Sequence, residues 1–336
     1  GDEAGTSALD EDRADVLQAF AELGSARALE LRAGRQLLSY GSERLIGPRY
    51  GPNVPQAFDV ARLAGVRGRW RLDALYGRPV EPRTGTFDDR SDDERALWML
   101  YATRAAAPGA PLGLDLYAIG LHDGEAAYEA GAGAERRTTL GSRLFGAARG
   151  WDWNFELFAQ LGSFAGEEIR AWSLASDTGR ALVLAGLPAR LGLRADVISG
   201  DDEAGDGELG TFNPLFPKGK YFGESGLLGP YNLIDLHPSL ALELARGWAL
   251  ELGAVLFWRE SAGDGLYDSG GNLLRASGGS EARFAGTQLD ATLAWQVDRH
   301  LDLAISGSFF ASGTFLEESG TSEDVAFLSL EARFRY

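Results

Sequence analysis

The chain has 336 residues, 49 acidic against 32 basic, a formal charge of −17 and no cysteine. That charge excludes a nucleic-acid binder of ordinary type, and zero cysteine excludes a disulfide framework, thiol catalysis and zinc-thiolate sites. No run approaches the roughly 18–20 apolar residues of a membrane-spanning helix, but a membrane barrel needs only about 9–11 alternating residues per span.

In chain order, about fifteen strands are expected near 15–23, 27–38, 57–66, 69–78, 94–104, 112–121, 136–147, 151–162, 167–177, 188–199, 236–245, 248–259, 285–297, 300–311 and 325–336. Side chains alternate faces along a strand, and several windows sort cleanly by that rule. Over 188–199, Leu191, Leu193, Ala195 and Val197 oppose Arg190, Arg194 and Asp196. Over 285–297, Leu289, Ala291, Leu293, Trp295 and Val297 oppose Gln288, Asp290, Thr292 and Gln296. The closing strand sets Ala326, Leu328, Leu330, Ala332, Phe334 and Tyr336 against a mostly charged face of Phe327, Ser329, Glu331, Arg333 and Arg335. One apolar and one charged face, repeated along a chain, suits a sheet with lipid outside and a wet lumen inside.

Connections sort by length. Short ones fall at Gly24–Ala26, Arg67–Gly68, Ala148–Gly150, Arg246–Gly247 and Asp298–Arg299. Long polar ones are expected at 39–56, 79–93, 122–135, 200–235, 260–284 and 312–324. Outer-membrane barrels show this asymmetry, with tight periplasmic turns and long outer loops. Trp70, Tyr76, Trp98, Tyr101, Trp151, Trp153, Trp248 and Trp258 lie near strand ends, where aromatic girdles form. The expectation is one all-β transmembrane antiparallel barrel over residues 1–336, with 1–14 on the outer side. An odd strand count beginning outside implies further N-terminal strands, one or three in number.

Several stretches resemble the bacterial alginate-export family of outer-membrane barrels. They are L-R-A-G-R-Q-L-L-S-Y-G-S-E-R-L-I-G-P-R (31–49), G-P-N-V (51–54), L-G-L-R-A-D-V-I-S-G-D (191–201), G-T-F-N-P-L-F-P-K-G-K-Y-F-G-E (210–224), N-L-I-D-L-H-P-S-L (232–240) and W-Q-V-D-R-H-L-D-L (295–303). The resemblance implies an eighteen-stranded barrel, three strands more than are counted here. It also implies an arginine-lined conduit for an anionic polyuronate, gated by loops.

Lining charges and constriction loops set channel selectivity. Lysine occurs only at 218 and 220, so nearly all basic residues are arginine, the side chain suited to bidentate carboxylate binding. The pore-lining candidates are Arg32, Arg35, Arg44, Arg49, Arg62, Arg143, Arg170, Arg190, Arg194 and Arg259. Polar faces also bring Arg69, Arg71, Arg137, Arg333 and Arg335 inward. Acidic residues there are equally numerous, including Glu30, Asp73, Asp115, Asp152, Glu156, Asp196 and Asp290. The expected lumen is therefore mixed, with any anion selectivity confined to a basic constriction. Arg35, Arg44 and Arg49 head that constriction; their alternative use is pairing with Asp59, Asp196 and Glu30. Lys218, Lys220 and Tyr221 are candidates for an outer-loop gate, in a connection too long to be idle. The acidic run 201–208 could offer oxygen ligands to calcium, though it lacks the spacing of a helix–loop–helix site, and a solvated acidic loop is the plainer reading.

No catalytic set stands out: His122, His237 and His300 are isolated, and no nucleophile elbow or phosphate loop is present. The sequence thus points to a non-enzymatic monomeric channel in the bacterial outer membrane, without cofactor or metal. Its partners would be lipid, lipopolysaccharide, an anionic polysaccharide and a periplasmic export protein. The alternatives are a general diffusion porin for small organic solutes and a structural barrel with partner-binding acidic loops.

Overall fold

The computed structural model describes residues 14–25, 28–49, 54–107 and 111–335. Fifteen strands build one antiparallel sheet: β1 (Ala19–Gly24), β2 (Leu29–Leu37), β3 (Ala57–Arg67), β4 (Trp70–Glu81), β5 (Arg95–Arg104), β6 (Leu112–Tyr128), β7 (Gly131–Ala148), β8 (Trp151–Phe164), β9 (Glu167–Leu184), β10 (Leu187–Ile198), β11 (Leu233–Glu243), β12 (Trp248–Trp258), β13 (Phe284–Gln296), β14 (Leu301–Ser312) and β15 (Val325–Phe334). Each pairs with its sequence neighbours. Two-residue strands at Arg90–Ser91 and Glu208–Leu209 join the sheet beside β4 and β9. One short α-helix, α1 (Thr314–Ser319), is described, with a 3-10 turn at Ala245–Gly247.

Alternation writes both faces. Along β9, Ile169, Ala171, Ser173 and Ala175 are buried while Glu168, Arg170, Trp172 and Leu174 are exposed. Leu72, Leu100, Leu116, Leu140, Leu157, Leu161, Leu191, Leu193, Leu252, Leu289 and Leu330 form an exposed apolar band, far larger than water tolerates on a monomer. Two aromatic belts border it. Trp151 and the stacked, paired Trp248 and Trp295 (4.9 Å, 4°) mark the short-turn end. The paired Tyr76 and Trp98, with Trp258, mark the other. Tyr101, expected in a belt, is 5% exposed and points inward, because it has opposite parity to the exposed Leu100.

The short-turn end carries mostly brief connections, such as 68–69, 149–150, 185–186 and 297–300, with a longer one over 105–111. The other end carries long segments at 38–56, 82–94, 199–232, 259–283 and 313–324. Residues 122–135, expected to form a long loop, instead continue the strands: β6 reaches Tyr128, β7 starts at Gly131, and only Glu129 and Ala130 intervene. The reason lies in parity. Leu121, Ala126, Tyr128, Glu135 and Arg137 are all buried, and Tyr128 packs edge-on against Phe164 at 5.1 Å, so the wall rises past the membrane here. β9 likewise runs seven residues beyond the expected 177, turning at Ala185–Gly186.

β1 pairs with β2 and β15 with β14, and no pairing joins β1 to β15 among the described residues. Both edge strands run from the long-loop end to the short-turn end. Ala14, at the long-loop end, bridges to Thr86. Residues 1–13 and the terminal Tyr336 lie outside the described residues.

Candidate functional site

Two long segments turn inward and meet inside the curled sheet. Phe216 N donates to Leu45 O (2.9 Å), Gly47 N to Phe216 O (2.9 Å) and Lys218 N to Glu43 O (2.9 Å). The left-handed backbone of Glu43, Arg49, Leu215 and Lys220, with φ of 60°, 54°, 62° and 53°, folds both segments tightly around this zipper. Phe216 packs edge-on against Phe58 of β3 (5.2 Å), and Phe222 against Phe257 of β12 (5.4 Å). Phe212 meets Phe158 of β8 (5.7 Å), and Ser225 Oγ donates to Gln288 of β13 (2.8 Å). Contacts with β3, β8, β12 and β13 from one segment require the wall to wrap around it. The crossing loops therefore narrow the lumen.

Arg44 is the centre of the crossing. Its Nη1 donates to Asp196 Oδ2 on β10 and to the Tyr221 hydroxyl, both at 2.5 Å, and its Nε lies 3.5 Å from Glu156 on β8. Tyr221 also donates to Asp196 (3.2 Å), and Ser42 donates to Glu156. Burial opposes the Arg44 charge, but Tyr221, Asp196 and Glu156 outweigh it and hold its pKa well above the usual arginine value. One guanidinium thus ties both inward segments to two strands of the far wall.

Beneath it runs a row of rings, Tyr40, Tyr101 and Tyr117, at centroid spacings of 5.1 and 4.9 Å. The row is interleaved with carboxylates: Tyr101 donates to Asp115 (2.9 Å) and Tyr117 to Glu156 (2.7 Å). Tyr40 likewise donates to Asp73 (3.3 Å), and the row's acids bind arginine too: Arg62 reaches Asp73 (2.6 Å) and Arg143 reaches Asp115 (3.0 Å), with a further bond to the Asn154 side chain (2.8 Å).

The remaining expected arginines are similarly engaged. Arg32 pairs with Glu22 (2.6 Å) and Glu30 (3.6 Å), and Arg35 with Asp59 (2.9 Å). Arg190 reaches Asp152 (2.6 Å) and Asp177 (3.0 Å), while Arg194 donates to the Tyr221 carbonyl (3.0 Å). Arg49 donates to Gln56, and burial, with Arg95 nearby, lowers its pKa.

Two candidates leave the pore-lining set. Arg170 shares the outward face with Trp172 and is held by Glu168 (2.8 Å) and Glu208 (3.3 Å) at the rim. Arg259 is fully buried in the outer-loop cluster. It donates to the carbonyls of Ser280, Ala262, Asp264 and Ala282 and stacks 3.8 Å from the Phe315 ring of α1. Ending a strand whose polar face looked luminal, it projects past the wall.

Lys218 differs from all of these. No carboxylate lies within 4.0 Å of its ammonium among the described residues, and its nearest ring, Tyr221, is 6.0 Å away. Burial, then Arg194 and Arg44, push its pKa down to about 8, against the weaker pull of Glu43 and Asp177. Lys220, by contrast, is neutralised by Glu224 at 2.6 Å. The 199–232 segment, read from the sequence as an outer-loop gate, brings Lys218 to the zipper, which nothing in the local sequence signals because Glu43 and Lys218 are far apart along the chain.

A lipid-facing antiparallel wall, aromatic belts and loops narrowing a polar interior define an outer-membrane β-barrel channel. The sequence matches the alginate export family over residues 2–326, and the chain belongs to that family; its location is the bacterial outer membrane. No curated protein matches it by sequence. Among solved structures it is similar to Pseudomonas aeruginosa OccK1 (OpdK), with 14% identity and a TM-score of 0.63 over 94% of this chain and 77% of that one. P. aeruginosa OccK2 (OpdF) in complex with glucuronate gives 12% and 0.60 over 94% and 80%. Acinetobacter baumannii OccAB1 gives 10% and 0.57 over 91% and 74%. At such identities the likeness concerns the fold. The family and these fold neighbours are outer-membrane channels, not enzymes.

Proposed function

We propose that residues 1–336 act as one passive conduit for an anionic or polar solute, an exopolysaccharide being the leading class, with the two crossing loops as its gate. The observation that carries the reading is the zipper of 43–47 with 216–218, which sets an unpaired ammonium in a narrowed lumen. The arginines of the wall hold the aperture rigid, because each charge is spent on a neighbouring carboxylate or carbonyl. Lys218 then supplies the electropositive spot that a passing carboxylate meets, at a constriction where local potential outweighs the overall −17. Membership of the alginate export family and the glucuronate held by OccK2 both favour a uronate-bearing solute. Lipopolysaccharide around the wall and a periplasmic export protein at the short-turn end would complete the pathway, the barrel itself acting as a monomer.

A second reading, uptake of small organic acids, is favoured by the vanillate-bound OpdK of the same fold. Reversal potentials across planar bilayers under a KCl gradient, with and without polyuronate, separate the two. Anion preference with block by polyuronate at low concentration supports the conduit for a polymer. Anion preference with block by small carboxylates alone supports the second reading, and cation preference sinks both.

A further inference from the structure

Where β8 turns into β9 and the 199–232 segment leaves β10, two carboxylates each bury an oxygen atom that has no hydrogen-bond partner among the described residues. Asp201 is 4% exposed; its Oδ1 accepts the Gly210 amide (2.8 Å), while its Oδ2 is buried with no hydrogen-bond partner. Glu167, beside the Ala165–Gly166 turn, likewise buries an Oε2 with no partner. The two belong to one corner. Glu168 N donates to Gly207 O (2.9 Å), and Glu208–Leu209 runs parallel to Glu168–Ile169. Asp206 caps the same turn through Glu208 N (2.9 Å).

Asp264 stands behind Asp201 but is fully used, accepting from Thr211 (2.6 Å), Tyr267 (2.6 Å) and the amides of Asp201 (3.1 Å) and Gly265 (2.8 Å). Arg170, the nearby arginine, is turned outward and bound by Glu168 and Glu208. An unpartnered carboxylate oxygen costs several times more to bury than a neutral group, so one beside another acid demands a counter-charge or a proton.

We propose that Asp201 and Glu167 bind a hard divalent cation, calcium by preference, which fastens the root of the gating loop to the β8–β9 hairpin. The pair would supply two carboxylate oxygens. Carbonyls of the 201–208 turn and water would complete the six to eight oxygen ligands that calcium takes. The acidic run 201–208 gains a role here that its spacing alone did not give it. Glu167, remote in sequence, supplies the missing ligand.

The test is thermal unfolding of the detergent-solubilised protein, stripped with EDTA and titrated with CaCl2 at pH 7.5, alongside Tb3+ luminescence sensitised by nearby tyrosines. Calcium should raise the Tm saturably, by about 3 °C or more, and should displace Tb3+. Asp201→Asn and Glu167→Gln should each abolish the calcium-dependent rise while folding normally in EDTA. Asp15→Asn, in the separate Asp15–Asp88–Asp89 cluster, should leave it intact. Absence of a calcium-dependent rise in the wild type, or its persistence in Asp201→Asn, would overturn the site. Neither outcome bears on conductance selectivity, so failure here is distinguishable from failure of the channel reading.

Discussion

Arg44 and Lys218 stand on two loops that touch, yet their surroundings assign them opposite duties. Arg44 is buried with Asp196, Glu156 and Tyr221 around it, so its charge is consumed in holding the crossing together. Lys218, on the neighbouring loop, has no such partner among the described residues. A planar guanidinium with five donors can satisfy several acceptors at once, whereas a compact ammonium keeps an accessible charge. A basic lumen is therefore a poor guide to selectivity until the pairs are subtracted.

The contrast can be broken in three ways, in descending size. Replacing Glu43–Pro48 by a short Gly-Ser linker removes the zipper and its latch together. Single-channel conductance should rise severalfold, while heat-modifiable migration shows that the barrel still folds; unchanged conductance would mean that the loops do not cross the current path. Arg44→Ala leaves Asp196 and Glu156 buried without their cation, a loss of about 3–5 kcal/mol. Unfolding should shift accordingly, with conductance becoming noisier and larger as the latch frees; a selectivity change with no loss of stability would give Arg44 the role assigned to Lys218. Lys218→Ala should move the reversal potential toward that of a neutral pore with stability equal to or above wild type, since a costly buried charge is removed. Retained anion preference would transfer the role to Arg194.

Much of the fold was legible because strand parity is local. The exposed Leu, Trp and Phe of the wall and the alternation of β10 and β13 follow from period two. The 122–135 error arose because a lumen-facing polar strand above the membrane reads like a loop: Glu135 and Arg137 are charged yet fully buried in a mutual pair. The site was legible only by residue type. Arg35–Asp59 and Arg44–Asp196 were foreseeable as pairs, but which cation stays free depends on loops meeting across the lumen, and no local pattern records that meeting. Arg259 looked luminal by parity and was claimed by carbonyls of a loop whose path the sequence does not state.

The most direct test is the reversal potential under a fixed KCl gradient from pH 6.5 to 9.5. Lys218 has its pKa lowered to about 8 in the fold, so its charge is present below that value and lost as pH rises through it. Its burial cost is greatest at low pH, and stability should climb between about pH 8 and the ordinary lysine value near 10.4. The arginines keep their charge throughout this range. Anion preference should fall with a midpoint near pH 8 in the wild type and be weak and flat in Lys218→Ala. Strong anion preference that is flat across the range in both proteins would return selectivity to the arginines and contradict the role of Lys218.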